Sequence, residues 1–265
     1  MNDIVELWKS LKIQWRVIYA LMMREIITRY GRENLGFLWV FLEPALFTGG
    51  IAFLWSYVSF RFYERAEFSL AAFVLTGWIA GKLWMITAGK TMAGVEANTA
   101  LFYHRNIKPI DLMISRIILE LCGVTGAFIV VSLFFIFIEV ITPPVNYSYL
   151  TLGWYLMAWF AFNLAIFIAS LDIMTDLVRK VWPIFSLTLF ISSGTFYLVQ
   201  WLPDSVKPYA LLLPTVHNIE MIRYGYWGPV FTPYFDASYS FLFNLFFMLI
   251  ALTLQRISIK KLEID

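Results

Sequence analysis

The chain has 265 residues, of which 60% are hydrophobic and only 14% are charged, and its mean hydropathy is +0.72. A single soluble domain needs a larger polar share to cover its surface, so this composition excludes one and indicates a protein whose main solvent is lipid. The formal net charge of +2 gives no reason to expect a nucleic-acid partner.

Residues 1–30 predict an amphipathic helix at the cytoplasmic surface of a membrane. At about 100° per residue, one narrow arc of this helix collects seven apolar side chains, which are Ile4, Trp8, Leu11, Trp15, Ile18, Met22 and Ile26. Lysine and arginine side chains lie away from that arc. Tryptophans at headgroup depth and cations toward water are typical of a helix lying in the interface. A soluble helix packed on a partner protein is the alternative.

Six continuous apolar runs follow, each long enough to cross about 30 Å of hydrocarbon as a helix. They cover residues 37–58, 67–88, 112–140, 149–171, 182–201 and 237–255. Continuous runs predict helices, whereas a membrane β-barrel shows alternating patterns. No linker or repeat divides the chain, so residues 31–265 are expected to form one domain. The predicted fold is an all-α integral membrane protein with six transmembrane helices.

Positive charge sets the expected orientation, because lysine and arginine are retained in cytoplasmic loops. With the N-terminus inside, the cytoplasmic segments hold fourteen of the twenty lysines and arginines, and the outer loops hold four. Both termini are therefore predicted to be cytoplasmic. The single cysteine, Cys122, lies in an apolar run and is expected to be a small buried thiol. Arg116 and Glu120, four residues apart, are expected to pair with each other.

The segment 29–44 joins the surface helix to the first apolar run. Gly36 permits a close approach or an unusual turn, and Arg29 and Arg32 remain at headgroup level. Glu43 lies about 10 Å beyond the start of the run, a depth at which ionisable groups face a bundle interior or an aqueous cavity. Glu43 is either a packing residue in a helix kinked by Pro44 or a polar group near the inner mouth of a transport path.

This segment also carries a family resemblance. It resembles the N-terminal segment of type-2 ABC exporter permeases, particularly those that export capsular polysaccharide, in the residues Arg24, Glu25, Arg29, Tyr30, Leu35, Gly36, Trp39, Glu43 and Pro44. The six runs, the cytoplasmic termini and the amphipathic helix match the same family.

The resemblance implies a permease subunit of the bacterial inner membrane, with no enzyme activity, metal or cofactor of its own. Such a permease functions as a homodimer with two ATPase subunits, which bind ATP and Mg. It moves a lipid-linked polysaccharide, and periplasmic adaptor and outer-membrane export proteins are further expected partners. From charge and depth in the membrane, the predicted residues of the inner gate and of the entry path for lipid and substrate are Arg29, Tyr30, Arg32, Gly36, Trp39, Glu43 and Lys82.

Lys82 lies inside a predicted span, about 12 Å along the helix from Lys90. Its ammonium group either snorkels toward the cytoplasmic surface or lines a cavity, where it meets an anionic headgroup or a sugar.

By the same resemblance, the loop between the second and third runs carries a coupling helix that docks on the ATPase. Docking needs apolar anchors inside a polar rim, and this region offers Glu96, Leu101, Phe102, Tyr103 and Arg105. A solvated loop whose aromatic side chains rest on headgroups is the alternative. The loop 172–180, in which Asp176 and Lys180 lie four residues apart, is a weaker candidate contact.

The outer segment 202–233 contains five prolines but is too apolar for a free loop. It predicts two short re-entrant helices packed against the bundle, as in the same family. His217, Glu220 and Arg223 recur three residues apart and are interpreted as a structural ion-pair network, with a gate or a polymer contact as the alternative. One histidine and one carboxylate do not suffice for a metal site.

Two other functions fit parts of the sequence. Export of O-antigen or teichoic acid by a related permease is the alternative within transport. Outside transport, an integral-membrane lipid or prenyl transferase is the rival, but Asp172 and Asp176 form a poorer carboxylate cluster than a magnesium-diphosphate site needs.

Overall fold

The computed structural model describes residues 2–30, 69–98, 108–230 and 232–262, together with positions 42, 46, 47, 49–51 and 54. Within these residues the secondary structure is helical throughout, without a strand. The helices of the continuous ranges are α1 (Asn2–Tyr30), α2 (Leu70–Ala97), α3 (Pro109–Phe137), α4 (Tyr147–Met174), α5 (Leu177–Ser192), α6 (Lys207–Ala210), α7 (Pro214–Trp227) and α8 (Ala237–Leu262).

Four of the described helices are long and apolar enough to cross a membrane. They are α2, α3, α4 and α8, and they correspond to the predicted runs 67–88, 112–140, 149–171 and 237–255. The predicted first span, residues 37–58, lies largely outside the described residues. The multi-pass character of the protein is therefore confirmed by four helices.

The bundle is organised around α4, which packs against α2, α3, α5, α7 and α8. Its contact with α8 includes two buried amides: Asn163 donates to the carbonyl oxygen of Asn244 at 2.8 Å, and Asn244 donates to that of Leu156 at 3.0 Å. Buried amide contacts of this kind hold apolar helices together where lipid provides no hydrophobic driving force.

α2 contains an irregular turn. Residues Leu75–Ile79 form a π-helical turn between the α-helical stretches Leu70–Val74 and Ala80–Ala97. A Cβ atom on Gly77, within this turn, would lie 2.4 Å from the carbonyl oxygen of Thr195. The turn therefore lies where another segment of the chain approaches α2 most closely, and only glycine fits there.

The fifth predicted run, 182–201, is wrong at both ends. The helix α5 begins at Leu177 and ends at Ser192, so its 16 residues extend about 24 Å, less than a full span. It stops because Gly194 adopts a positive φ of 86°, a conformation that ends helices. The apolar sequence continues beyond Gly194, and this misled the sequence-based boundary.

The described residues of the segment 202–233 form two short α-helices, as the sequence predicts, and a 3-10 turn over Gly228–Val230. The longer one, α7, has all of its side chains buried except that of Tyr224, which is partly buried. It packs against α4 and α8, and Gly225 brings its last turn against the start of α4.

α1 is a helix over the predicted residues, but its apolar arc is divided. Ile18 is buried and the helix packs against α3, whereas Trp8, Leu11 and Trp15 are 69%, 50% and 61% exposed. The protein thus covers the later part of the arc and leaves the earlier part open to another apolar surface.

Large apolar side chains on α3, α5 and α8 point outward, among them Phe134, Phe137, Ile184, Leu187, Leu242 and Phe246. Outward apolar faces are expected of helices surrounded by lipid or by a second subunit. Cys122 lies on the exposed surface of α3, so the expectation of a buried thiol is wrong. A small apolar residue in a membrane helix can face lipid as readily as the core.

We expect Gly225→Ala to destabilise the protein by about 1–3 kcal/mol, the usual cost of overpacking. Its Cβ atom would lie 2.4 Å from the Leu150 nitrogen and 2.9 Å from the Asn146 oxygen, which are main-chain atoms that cannot rotate away. Thermal unfolding in detergent should give a lower Tm.

Gly89→Ala is the matched control, because its nearest neighbour is the side-chain nitrogen of Trp182 at 3.3 Å. An equal Tm for the two variants would contradict the packing of α7 on α4.

Candidate functional site

An ion-pair cluster lies where α2 and α4 end and α5 begins, a region that we call the Glu96 end of the bundle. Arg179, in the first turn of α5, donates from Nη2 to Asp172 Oδ2 at 2.8 Å and from Nε to Asp172 Oδ1 at 3.3 Å. Its Nη1 donates to Glu96, in the last turn of α2. The hydrogen bond to Asp172 raises the pKa of Arg179, so the guanidinium stays charged.

α1 contacts both ends of the loop that joins α2 to α3. Before the loop, Arg24 donates to Asn98 Oδ1 at 3.3 Å. After the loop, Gln14 donates to Asp111 Oδ1 at 2.8 Å. The helix α1 therefore bridges the two stems of the loop.

A mostly buried ion pair strengthens this attachment. Arg116 of α3 donates to Glu25 of α1, and their side chains are only 10% and 16% exposed. Arg116 passes close to α2, since a Cβ atom on Gly94 would lie 2.7 Å from its Nε. The local spacing of Arg116 and Glu120 did not reveal this partner, which is 91 residues away in the sequence.

Of the five predicted coupling residues, the structure describes Glu96. The other four, Leu101, Phe102, Tyr103 and Arg105, lie outside the described residues. The structure thus gives both stems of the loop and the ion pair on its first stem.

Lys82 lies in the middle of α2, and its ammonium nitrogen is 5.0 Å from the centroid of the Trp78 ring and 5.6 Å from that of Phe190. Trp78 also contacts Phe196 edge to face. About 22 Å of helix separates Lys82 from Ala97, which is far more than a lysine side chain reaches. The two aromatic faces stabilise a partly desolvated cation.

The other predicted inner-gate residues have no described side chains. Arg29 and Tyr30 form the end of α1, where the structure describes the main chain. Arg32, Gly36, Trp39 and Glu43 lie outside the described residues. Lys82 is the member of that set whose surroundings are known.

At the opposite end of α5, the buried side chain of Arg223 binds three carbonyl oxygens. Nη1 donates to Gly194 at 2.8 Å and to Tyr197 at 2.6 Å, and Nη2 donates to Thr195 at 2.9 Å. The guanidinium also lies 4.1 Å from the centroid of the Phe73 ring. It caps the turn that follows α5, residues 194–197, in which carbonyl groups lack helical partners.

Glu220 and His217 bind main-chain groups as well. The Glu220 carboxylate accepts hydrogen bonds from Val199 N at 3.1 Å and Tyr234 N at 3.3 Å. His217 Nε2 is 2.8 Å from the carbonyl oxygen of Leu211, and its Nδ1 accepts from Asp236 N at 2.9 Å. These contacts assign the proton to Nε2 and occupy both ring nitrogens, leaving neither for a metal.

We call Arg223, Glu220 and His217 together the α7 cluster. Its members join α7 to the turn after α5, to the segment around α6 and to the chain preceding α8. The spacing of the three residues predicted an ion-pair network among their side chains. The contacts described above are instead with main-chain groups, which spacing does not show.

Two residues of these contacts, Arg179 and Phe190, were not predicted from the sequence. Arg179 was counted only as a positive charge in a loop, and Phe190 only as part of an apolar run. Arg179 and Glu96 are 83 residues apart, so no local pattern indicates their pair. A basic residue seven positions after the acidic Asp172 was the available signal.

The sequence is similar along nearly its whole length to proteins of capsule export. It is 40% identical over 244 residues to the capsule polysaccharide export inner-membrane protein CtrC of Neisseria meningitidis serogroup A, covering 92% of this chain and 91% of the relative. It is 36% identical over 255 residues to the capsule polysaccharide export inner-membrane protein BexB of Haemophilus influenzae, covering 96% of both.

A more distant relative is the polysialic acid transport protein KpsM of Escherichia coli, 26% identical over 245 residues. No family model matches the sequence. Identity of 36–40% across both full lengths, together with the four apolar helices, leads to one conclusion. The chain belongs to the family of capsule polysaccharide export inner-membrane proteins.

Proposed function

We propose that this chain is the membrane subunit of an ATP-driven ABC exporter that moves a lipid-linked capsular polysaccharide across the bacterial inner membrane. The similarity to CtrC and BexB over more than nine-tenths of each chain carries this proposal. We expect relatives that align over more than nine-tenths of both chains to share one set of helices.

The complete assembly contains two copies of this chain and two ATPase subunits, which bind ATP and Mg. Each copy has six spans and both termini in the cytoplasm. Four of the spans are the described helices α2, α3, α4 and α8, and residues 37–58 and the region of α5 supply the other two. The exposed apolar faces of α3, α5 and α8 are available to lipid and to the second copy. Periplasmic adaptor and outer-membrane proteins continue the route outward.

The ATPase docks at the Glu96 end of the bundle. The anchors are Leu101, Phe102 and Tyr103. Three consecutive apolar or aromatic side chains suit insertion into a groove on the ATPase, because buried anchors of this kind carry most of the affinity of an interface. The contacts of α1 with Asn98 and Asp111 support this assignment because they hold both stems of the loop.

Substrate enters from the inner leaflet beside α1, whose exposed Trp8, Leu11 and Trp15 lie in the interface. Segment 29–44 leads from there into the bundle. Lys82, beside the rings of Trp78 and Phe190, meets the anionic groups of the substrate at mid-depth. Aromatic faces beside a cation suit a polymer whose sugar rings present C–H surfaces.

The α7 cluster shapes the outer exit. Its helices dip into the outer half of the bilayer, where hydrogen bonds to main-chain groups replace those of water. Because Arg223, Glu220 and His217 all bind the main chain, they fix the shape of the exit, and other groups contact the polymer.

The docking assignment predicts that Phe102→Asp with Tyr103→Asp removes the ATPase from the purified complex. Two buried anchors contribute about 2 kcal/mol or more each, so affinity should fall by roughly 30-fold for each lost anchor. Co-purification of the ATPase with tagged permease measures this directly.

Tyr209→Asp is the control, because Tyr209 is exposed at the end of the bundle opposite Glu96. A wild-type chain that binds no ATPase yet converts a lipid substrate alone would contradict the proposed function.

Lys82→Met should lower export of an anionic capsular polysaccharide by roughly tenfold, since it removes one charge-assisted contact of about 1.5 kcal/mol or more. The chain should still fold, because methionine keeps the length and the contact with Trp78. Export is measured as surface capsule in a strain that depends on this permease.

Lys90→Met on the same helix is the matched control, since Lys90 is exposed. Full export by Lys82→Met would remove Lys82 from the substrate path.

Arg223→Gln should destabilise the fold, because at least one buried carbonyl group loses its donor. Each carbonyl group left without a donor costs about 1–3 kcal/mol. Arg223→Lys should be intermediate, since it keeps the charge without the planar fork. The observables are Tm in detergent and protease cleavage of the segment 193–213. Arg256→Gln, at an exposed position of α8, is the control. Unchanged Tm in Arg223→Gln would refute the capping role.

A further inference from the structure

Arg179 connects three helices at the Glu96 end. Its guanidinium forms a fork with the carboxylate of Asp172, near the end of α4, and its third nitrogen reaches Glu96 in the last turn of α2. Asp172 is 4% exposed in its side chain, whereas Arg179 and Glu96 are 36% and 50% exposed.

The two contacts of Arg179 differ in strength for this reason. A buried carboxylate needs a paired charge, and a two-bond fork with a guanidinium is the most favourable arrangement for it. The half-exposed pair with Glu96 is screened by solvent and contributes little to stability. Arg179 is therefore fixed to α4 by Asp172, and its bond to Glu96 can break and form again while the bundle stays folded.

Glu96 lies two residues before the end of the described first stem of the loop, so its position follows that of the loop. Arg179 lies in the first turn of α5, whose other end is capped by Arg223 and whose Phe190 ring contacts Lys82. One short helix of about 24 Å thus links the loop, the mid-depth cation and the α7 cluster.

We propose that Arg179 is a positioning residue that transmits displacement of the α2–α3 loop to α5 through its bond to Glu96. This inference rests on the proposed function, because it assumes that an ATPase moves that loop. This role differs from the predicted one, in which Glu96 lies in the polar rim of the contact with the ATPase. Glu96 acts inside the membrane subunit, on Arg179.

The test uses the complete complex with its ATPase, reconstituted in proteoliposomes, and measures ATP hydrolysis and polymer export together. Glu96→Gln and Arg179→Gln should each lower the polymer exported per ATP hydrolysed by about fivefold, the scale of losing one partly exposed ion pair from a coupled step. The ATPase should stay bound in both variants. A purely structural role would change protein yield and leave this ratio unaltered.

The double variant is decisive. If Glu96 acts through Arg179, Glu96→Gln with Arg179→Gln should be no worse than Arg179→Gln alone. Lys207→Gln is the matched control, because it breaks an exposed ion pair with Asp204 beyond the other end of α5. If Arg179→Gln fails to fold because Asp172 loses its partner, Glu96→Gln and Arg179→Lys decide the question, and both should show the reduced ratio.

Three results would overturn the inference. Unchanged export per ATP in the single variants would show that the pair transmits nothing. Losses that multiply in the double variant would place Glu96 in an independent contact with the ATPase. Loss of the ATPase from Glu96→Gln would make it a docking residue. A wild-type complex without ATP-dependent export would instead refute the proposed function itself.

Discussion

The guanidinium of Arg223 satisfies carbonyl groups at the place where an apolar run stops being helical. In a low-dielectric interior, an unpaired main-chain carbonyl costs free energy of the same order as a lost hydrogen bond, so a chain that leaves the helix at Gly194 needs a donor there. The donor comes from the buried helix α7. The positions of α5, α7 and the π-helical turn of α2 all depend on this one side chain.

Polar contacts concentrate at the two ends of the bundle, and apolar contacts fill the region between them. At the Glu96 end, charged and amide groups join α1, α2, α3, α4 and α5 in pairs that are largely between side chains. In the α7 cluster the partners are main-chain groups. Side-chain pairs exchange partners easily, while main-chain contacts fix a shape. This difference fits the proposal that the Glu96 end moves while the α7 cluster keeps its shape.

Long apolar runs predicted that α2, α3, α4 and α8 exist, because a long apolar stretch is itself the signal of a membrane helix. The end of α2 was mispredicted, since the helix continues nine residues beyond position 88 to Ala97. The end of α5 was mispredicted, since it depends on a positive φ at Gly194 and on a donor 29 residues later. The periodicity of α1 was correct, but its division between protein and open surface depends on α3. Pairs such as Arg179 with Glu96 join residues far apart in sequence, and only the assembled bundle brings them together.

The π-helical turn of α2 also sets the phase of that helix. Such a turn holds one residue more than an α-helical turn, and each residue rotates a helix by about 100°. Phe73 precedes the turn and faces Arg223, whereas Lys82 follows it and faces Phe190. Removing one residue between them would restore a regular helix and rotate one face away from its partner. The extra residue thus sets the register that lets a single helix present Phe73 to Arg223 and Lys82 to Phe190 at the same time.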